Sequence, residues 1–202
     1  MDEKQAIARL KRGDPGGLET LVQLHQLRAL RTACLIVGDR AQAEDIVQSA
    51  FIRAGEKIDQ FDSRRHFEPW FLRSVVHDAI KAANRQKRFI SLDAHEEGEA
   101  LDLLDPAPLP EELVEAEETR QAVWRALGQL PTRQRAAIVL RYYLEMPESE
   151  MAAALPGPAG TVKWWLHAAR QRLEKLLRPE RAPEEPAGAP GAREAQKSGG
   201  RR

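Results

Sequence analysis

Ala43-Glu44-Asp45-Ile46-Val47-Gln48-Ser49-Ala50-Phe51, then Phe67-Glu68-Pro69-Trp70-Phe71-Leu72-Arg73, then Arg85-Gln86-Lys87-Arg88 are the stretches that decide the fold. Ile46, Val47, Ala50, Phe51, Ala54 and Ile58 recur at helical spacing, so this segment reads as a helix with one apolar side. Glu44, Asp45 and Gln48 fall on its outer side. Gly38 ends the helix before it, and Asp39 can cap its first turn. Residues 61–66 read as a loop, and Pro69 suits the first turn of a further helix running to about Arg88. That helix opens on aromatics and ends in bare cations. The combination fits nucleic acid that is both held and unstacked, because bases stack on aromatic rings while phosphates pair with Lys and Arg.

Toward the N-terminus, Ala6, Ile7 and Leu10 predict a short helix ended by Gly13-Asp14-Pro15-Gly16-Gly17. Leu18, Leu21, Val22, Leu24, Leu27, Leu30 and Leu35 predict a long one. Toward the C-terminus, residues 91–110 show no period and close on Pro106-Ala107-Pro108-Leu109-Pro110, which reads as a linker. A second helical cluster comes next. Leu113, Val114, Ala122, Val123, Trp124 and Leu127 mark one helix. Thr132 can cap the next, which carries Ala136, Ile138, Val139, Leu140 and Tyr143. Pro147 can open a short helix with Met151, Ala152 and Leu155, and a last helix runs from Thr161 to about Leu177. Every periodic segment is helical, so the fold class is all-α. The expected architecture is two small helical domains, 1–90 and 111–178, joined by a flexible acidic linker over 91–110. The remainder, 179–202, has no large apolar residue and is expected to be disordered.

The 202 residues carry 31 Lys/Arg and 31 Asp/Glu, so bulk charge gives no argument for DNA. The distribution does. Seven Lys/Arg lie between Arg64 and Arg88, against Glu68 and Asp78 alone. Residues 91–118 hold eleven Asp/Glu and no Lys or Arg, and Thr161 to Arg178 turns basic again. The single cysteine, Cys34, sits in an apolar helical run and reads as a small core residue in a reducing compartment. The chain opens without a signal-like apolar run, and no stretch approaches the ~20 apolar residues of a membrane span. A cytoplasmic protein without membrane insertion is expected.

The C-terminal pair of helices is a helix-turn-helix candidate, with Pro156-Gly157-Pro158-Ala159-Gly160 between them. Val162, Leu166, Ala169, Leu173 and Leu176 form the buried stripe of the second helix, leaving Lys163, Trp164, His167, Arg170 and Gln171 outward. Trp164 and Trp165 are adjacent and cannot share a face, and Trp165 is the one expected to be partly buried. Around the first loop, Phe67, Trp70 and Phe71 are either core aromatics or part of a pocket for an unstacked base. Their neighbours Arg64, Arg65, His66 and Arg73 favour the second reading. Glu44, Asp45 and Gln48 are either a solvated face or a docking face. His25, His66, His77, His95 and His167 have no metal-ligand spacing, and no phosphate loop or nucleophile elbow occurs. No metal, cofactor or catalytic residue is expected, and an enzyme is disfavoured.

Taken in order, these residues resemble a bacterial RNA polymerase sigma factor of the extracytoplasmic-function (ECF) group, over about Leu18 to Leu177. The resemblance rests on Asp39-Arg40, Ala43 to Gln48, Phe61, Phe67-x-x-Trp70-Phe71-x-Arg73 and the basic helix end. It continues through Leu127-x-x-Leu130-Pro131, Arg135, Glu150-Met151-Ala152 and Gly160-Thr161-Val162-Lys163. It implies a region 2 bundle and a region 4 helix-turn-helix. It implies that Asp39, Arg40, Glu44, Asp45 and Gln48 dock on the largest subunit of core RNA polymerase. It implies promoter DNA as the second partner, both as duplex and as melted non-template strand. The minus-ten contacts would be Phe61, Arg64, Arg65, Phe67, Trp70, Arg73, His77, Lys81 and Arg85. The minus-thirty-five contacts would be Thr161, Lys163, Trp164, His167, Arg170 and Gln171. An anti-sigma factor is a common partner in this family, although no residue here identifies one. Three departures stand out. His77 takes the place of the usual Asn, Pro156-Gly157 replaces the usual glycine and apolar residue, and Trp164-Trp165 replaces a Ser-Arg pair. The alternatives are a stand-alone dimeric helix-turn-helix regulator and a decoy that occupies polymerase without directing initiation.

Overall fold

The computed structural model describes residues 2–90, 110–155, 157 and 160–178. The expected tail, and the expected linker apart from Pro110, lie outside the described residues. Among the described residues there are helices and turns and no strand.

Helix α1 (Glu3–Lys11) starts where Asp2 accepts a 2.8 Å hydrogen bond from the Gln5 N–H, and it buries Ala6 and Ile7. Helix α2 (Gly16–Val37) ends at Gly38, whose φ of 81° lets its N–H reach the Cys34 carbonyl at 2.8 Å. A side chain would strain that left-handed turn. Asp39 then accepts a 2.6 Å bond from the Gln42 N–H and opens α3 (Arg40–Glu56). After a 3₁₀ turn at Ile58–Gln60 and a short loop, α4 (Phe67–Ile90) begins with Pro69 inside its first turn. Here Pro lacks only an N–H that would have no partner in any case. Helices α2, α3 and α4 close on an aromatic stack. Phe51 lies 4.3 Å from Phe71 between ring centroids, and Phe71 lies 5.6 Å from Phe67.

The C-terminal half holds α5 (Pro110–Gly128), α6 (Thr132–Ile138), α7 (Glu148–Ala154) and α8 (Gly160–Leu177). Two details differ from the sequence reading. Thr132 does not cap α6: Pro131 is the extended cap residue, and Thr132 is already helical and buried. The helix also does not continue regularly through Tyr143. It widens into a π-helical turn at Val139–Tyr143, where the Leu144 N–H reaches back to the Val139 carbonyl at 3.0 Å. A π turn inserts one residue, so Leu144 is rotated from the position a regular helix would give it.

The two halves pack against each other. One contiguous set of buried side chains runs from Ala6 in α1 to Ala169 in α8, with α6 against α2 and α4, and α7 against α4. Arg135 joins them. It is 7% exposed, and its Nη1 donates to the Ile36 carbonyl at the end of α2 at 3.0 Å. Its Nη2 donates to the Gly128 carbonyl at 2.6 Å, with Leu130 O at 3.4 Å. Among the described residues no carboxylate pairs with it. Burial lowers its pKa, yet a guanidinium stays charged, so backbone carbonyls at helix ends hold the cation.

Candidate nucleic-acid interface

Three surfaces gather the residues singled out in the sequence. The first lies on α3. Asp39 is spent on the cap, Arg40 pairs with Glu44 at 2.8 Å, and Asp45 and Gln48 are exposed. Arg40, Glu44 and Gln48 edge a groove of about 730 Å³ between α3 and α2, while Asp39 and Asp45 do not line it. Its floor includes Leu18, Val22, Leu30, Val47 and Phe51, and Leu27 and Ile52 stand at its rim about half exposed. The contribution of α2 was missed in the sequence. Its signal was an excess of leucines, because Leu18, Leu21, Val22, Leu24, Leu27, Leu30 and Leu35 are too many for one buried stripe. Leu24 and Leu27 are indeed each 52% exposed.

The second surface is the start of α4. Phe61 and Phe67 are 2% and 0% exposed, so neither offers a ring face to solvent. They pack under Trp70 instead, with ring centroids 5.1 and 5.5 Å away. Trp70 is half-buried and is the ring of this group that meets the surface. Arg64 and Arg65 project from the loop. The Arg64 guanidinium donates two hydrogen bonds to Asp62, at 2.9 and 3.0 Å, and this pairing holds the Asp62 carboxyl pKa down at about 2. Arg73, His77, Lys81 and Arg85 are exposed at four-residue intervals, a single row of polar groups along the helix.

The structure adds neighbours that the sequence did not single out. Arg53 of α3 and Lys57, the residue that caps its C-terminus, lie beside Trp70, Arg73, Ser74 and His77. Ala153, Ala154 and Leu155, in and just after α7, face them across a cavity of about 460 Å³. Arg53 is paired with Asp78. The signal for these two was their i, i+4 spacing, which brings Lys57 at the end of α3 to the same side as Arg53.

The third surface is α8. Val162, Leu166 and Ala169 are buried and Leu173 is half-buried. Leu176 is 39% exposed, because the last turns of α8 extend past the core. Lys163, Trp164, His167, Arg170 and Gln171 are exposed, Trp164 the most openly at 59%, and Thr161 is half-buried. Trp165 is 5% exposed, as the sequence reading favoured, with the Arg133 guanidinium 5.6 Å from its ring centroid. A Cβ on Gly157 would lie 2.7 Å from Trp165 Cη2. Two sequence departures are therefore one packing unit: a Trp at 165 requires a glycine at 157. Tyr142, missed in the sequence, completes this face. Arg170 Nε donates to its hydroxyl at 2.8 Å, and the guanidinium lies 5.8 Å from its ring. The pair holds a cation in a fixed, exposed position.

The comparisons with known proteins match the same two segments. The Sigma-70 region 2 family matches residues 21–89, and the Sigma-70, region 4 family matches residues 120–173. The ECF RNA polymerase sigma factor SigW of Bacillus subtilis is 33% identical over 180 residues, covering 87% of this chain and 96% of that protein. The ECF RNA polymerase sigma-E factor of Escherichia coli is 30% identical over 186 residues, covering 89% of this chain and 96% of that one. Among solved structures, the sigma factor RpoE of Bartonella quintana, in complex with the anti-sigma factor NepR, superposes with a TM-score of 0.59 at 26% identity. It covers 81% of this chain and 96% of that one. Two helical halves, each matched by its own sigma region and each presenting an exposed basic helix, place this chain in the sigma-70 family of RNA polymerase sigma factors, in its ECF group.

Proposed function

We propose that this protein binds core RNA polymerase and directs promoter-specific initiation, reading a minus-ten element through α4 and a minus-thirty-five element through α8. The observation that carries the reading is the pair of exposed basic faces, Arg73 to Arg85 and Lys163 to Gln171, on two helices of one chain. The groove edged by Arg40, Glu44 and Gln48 supports a polymerase docking role for α2 and α3 together. On this reading Trp70 receives a base lifted from the melted strand, with Phe61 and Phe67 bracing it from below. Arg64, Arg65 and Arg73 hold the adjoining phosphates. Extruding a base costs a few kcal/mol, which stacking and phosphate pairing would offset. Trp164 would meet the minus-thirty-five duplex by apolar contact, for which thymine methyls are the fitting target.

The protein acts by differential binding, so no catalytic residue or cofactor is assigned. The precedent of RpoE with NepR supports an anti-sigma partner for this chain as well. The two elements are about 25 base pairs apart, roughly 85 Å along the duplex. A compact chain of this size is only on the order of 40 Å across. The packed halves must therefore separate for both elements to be read together. The test is Trp70→Ala assayed with core enzyme on duplex and pre-melted promoters. The variant should lose open-complex formation on duplex DNA far more than on pre-melted DNA. Equal loss on both templates, in a folded variant, would reject the base-receiving role.

A further inference from the structure

We infer that the cavity between α3, α4 and α7 is a binding site for a free nucleotide, and that its occupant favours the packed arrangement of the two halves. The cavity measures about 460 Å³, within the range of small-molecule sites. Arg53, Lys57 and Arg73 line it, and Asp78, bonded to Arg53, is the carboxylate that meets this group. Lys57 and Arg73 have no acidic partner among the described residues. Cations brought together around a concave space repel one another, and an anion relieves that repulsion. Trp70 supplies a half-exposed indole in the same cavity. A ring beside unpaired cations is the chemistry that holds a base and its phosphates.

The remaining wall comes from the other half of the molecule. Ala153, Ala154 and Leu155 are small or apolar and leave room for a flat ring. Trp70 and Arg73 are shared with the proposed minus-ten face, but this wall is not. It exists only while α7 packs on α4. A ligand touching both sides binds the packed form more tightly than the separated one, and so shifts the population toward it. Because it also occupies Trp70 and Arg73, it would compete with the melted strand.

Titration calorimetry of the full chain, without polymerase, tests the site. The probes are GTP, ATP and inorganic phosphate. The expected result is saturable binding of at least one nucleotide, with inorganic phosphate at least tenfold weaker. Arg73→Ala should weaken nucleotide binding at least tenfold. So should Ala153→Glu, which places an acid on an exposed position of the α7 wall where the core is not disturbed. No nucleotide binding would overturn the proposal. So would phosphate binding as well as nucleotide, or Ala153→Glu binding like the unmodified protein, since the α7 wall would then play no part. Because the assay contains neither promoter nor polymerase, its failure leaves the initiation reading to be judged separately.

Discussion

Gly157→Ala perturbs the turn before α8 in two ways: Gly157 has a φ of 157°, which an alanine adopts only at a cost, and the added methyl meets Trp165. The added methyl carbon would sit 2.7 Å from Trp165 Cη2 and 3.5 Å from Cζ2. Carbon atoms in ordinary contact are about 3.5–4.0 Å apart, so the overlap is roughly 1 Å. Trp165 cannot swing aside cheaply, because it is 5% exposed and lies beneath Arg133. Overpacking of this kind costs about 1–3 kcal/mol. For a chain of this size that is a fall in Tm of roughly 3–10 °C. The assay is thermal and urea unfolding followed by circular dichroism, run as a double-mutant cycle with Trp165→Phe. Phenylalanine lacks the outer ring atoms that the new methyl would meet. Trp165→Phe should itself destabilise by leaving a void. In that background Gly157→Ala should cost clearly less, keeping only the backbone penalty of its positive φ, so the two changes couple. Gly157→Ala as stable as the unmodified protein, or an equal penalty in both backgrounds, would refute the claim that these two residues form one packing unit.

Other residues give further expectations. Arg135→Met removes the donors to Ile36, Gly128 and Leu130 and should cost about 2–4 kcal/mol in urea unfolding, because buried carbonyls are left without partners. A loss under about 1 kcal/mol would mean that these bonds do not hold the halves together. Burial pushes the Cys34 thiol up to about 11, so at pH 8 a thiol reagent should label it only as fast as the fold opens. Labelling at the rate of the urea-unfolded chain would contradict its buried position. Lys163→Ala and Arg170→Ala should each reduce the slope of log affinity against log salt for a minus-thirty-five duplex by about one, as loss of a phosphate contact does. Unchanged slopes in both would remove α8 from the DNA.

The helices were legible in the sequence where local chemistry sets their ends. Gly38 and Asp39 mark the break between α2 and α3, because a left-handed turn and an N-cap need those side chains. The opposite fates of Trp164 and Trp165 followed from helical periodicity alone. What the sequence could not show is what each apolar stripe packs against. Periodicity gives α6 an inner side without revealing that α2 and α4 cover it, nor that Arg135 crosses to Ile36, ninety-nine residues away. An arginine in a helix reads as surface charge until carbonyls at helix ends are seen to surround it. The aromatics of the first loop were ambiguous for the same reason. Phe61, Phe67 and Trp70 are alike in sequence, and only packing separates the two that brace from the one that reaches the surface. The cap expected at Thr132 went instead to Pro131, whose extended conformation starts α6 one residue earlier than the side-chain pattern suggested.

The central claim is that this chain gives core polymerase a promoter specificity. The most direct measurement reconstitutes the purified protein with bacterial core RNA polymerase on genomic fragments and maps the transcript starts. The account predicts new starts that share two upstream motifs at constant spacing, lost when Glu44, Asp45 and Gln48 are replaced together by Ala. Binding to core without such starts, or no binding to core at all, would contradict it.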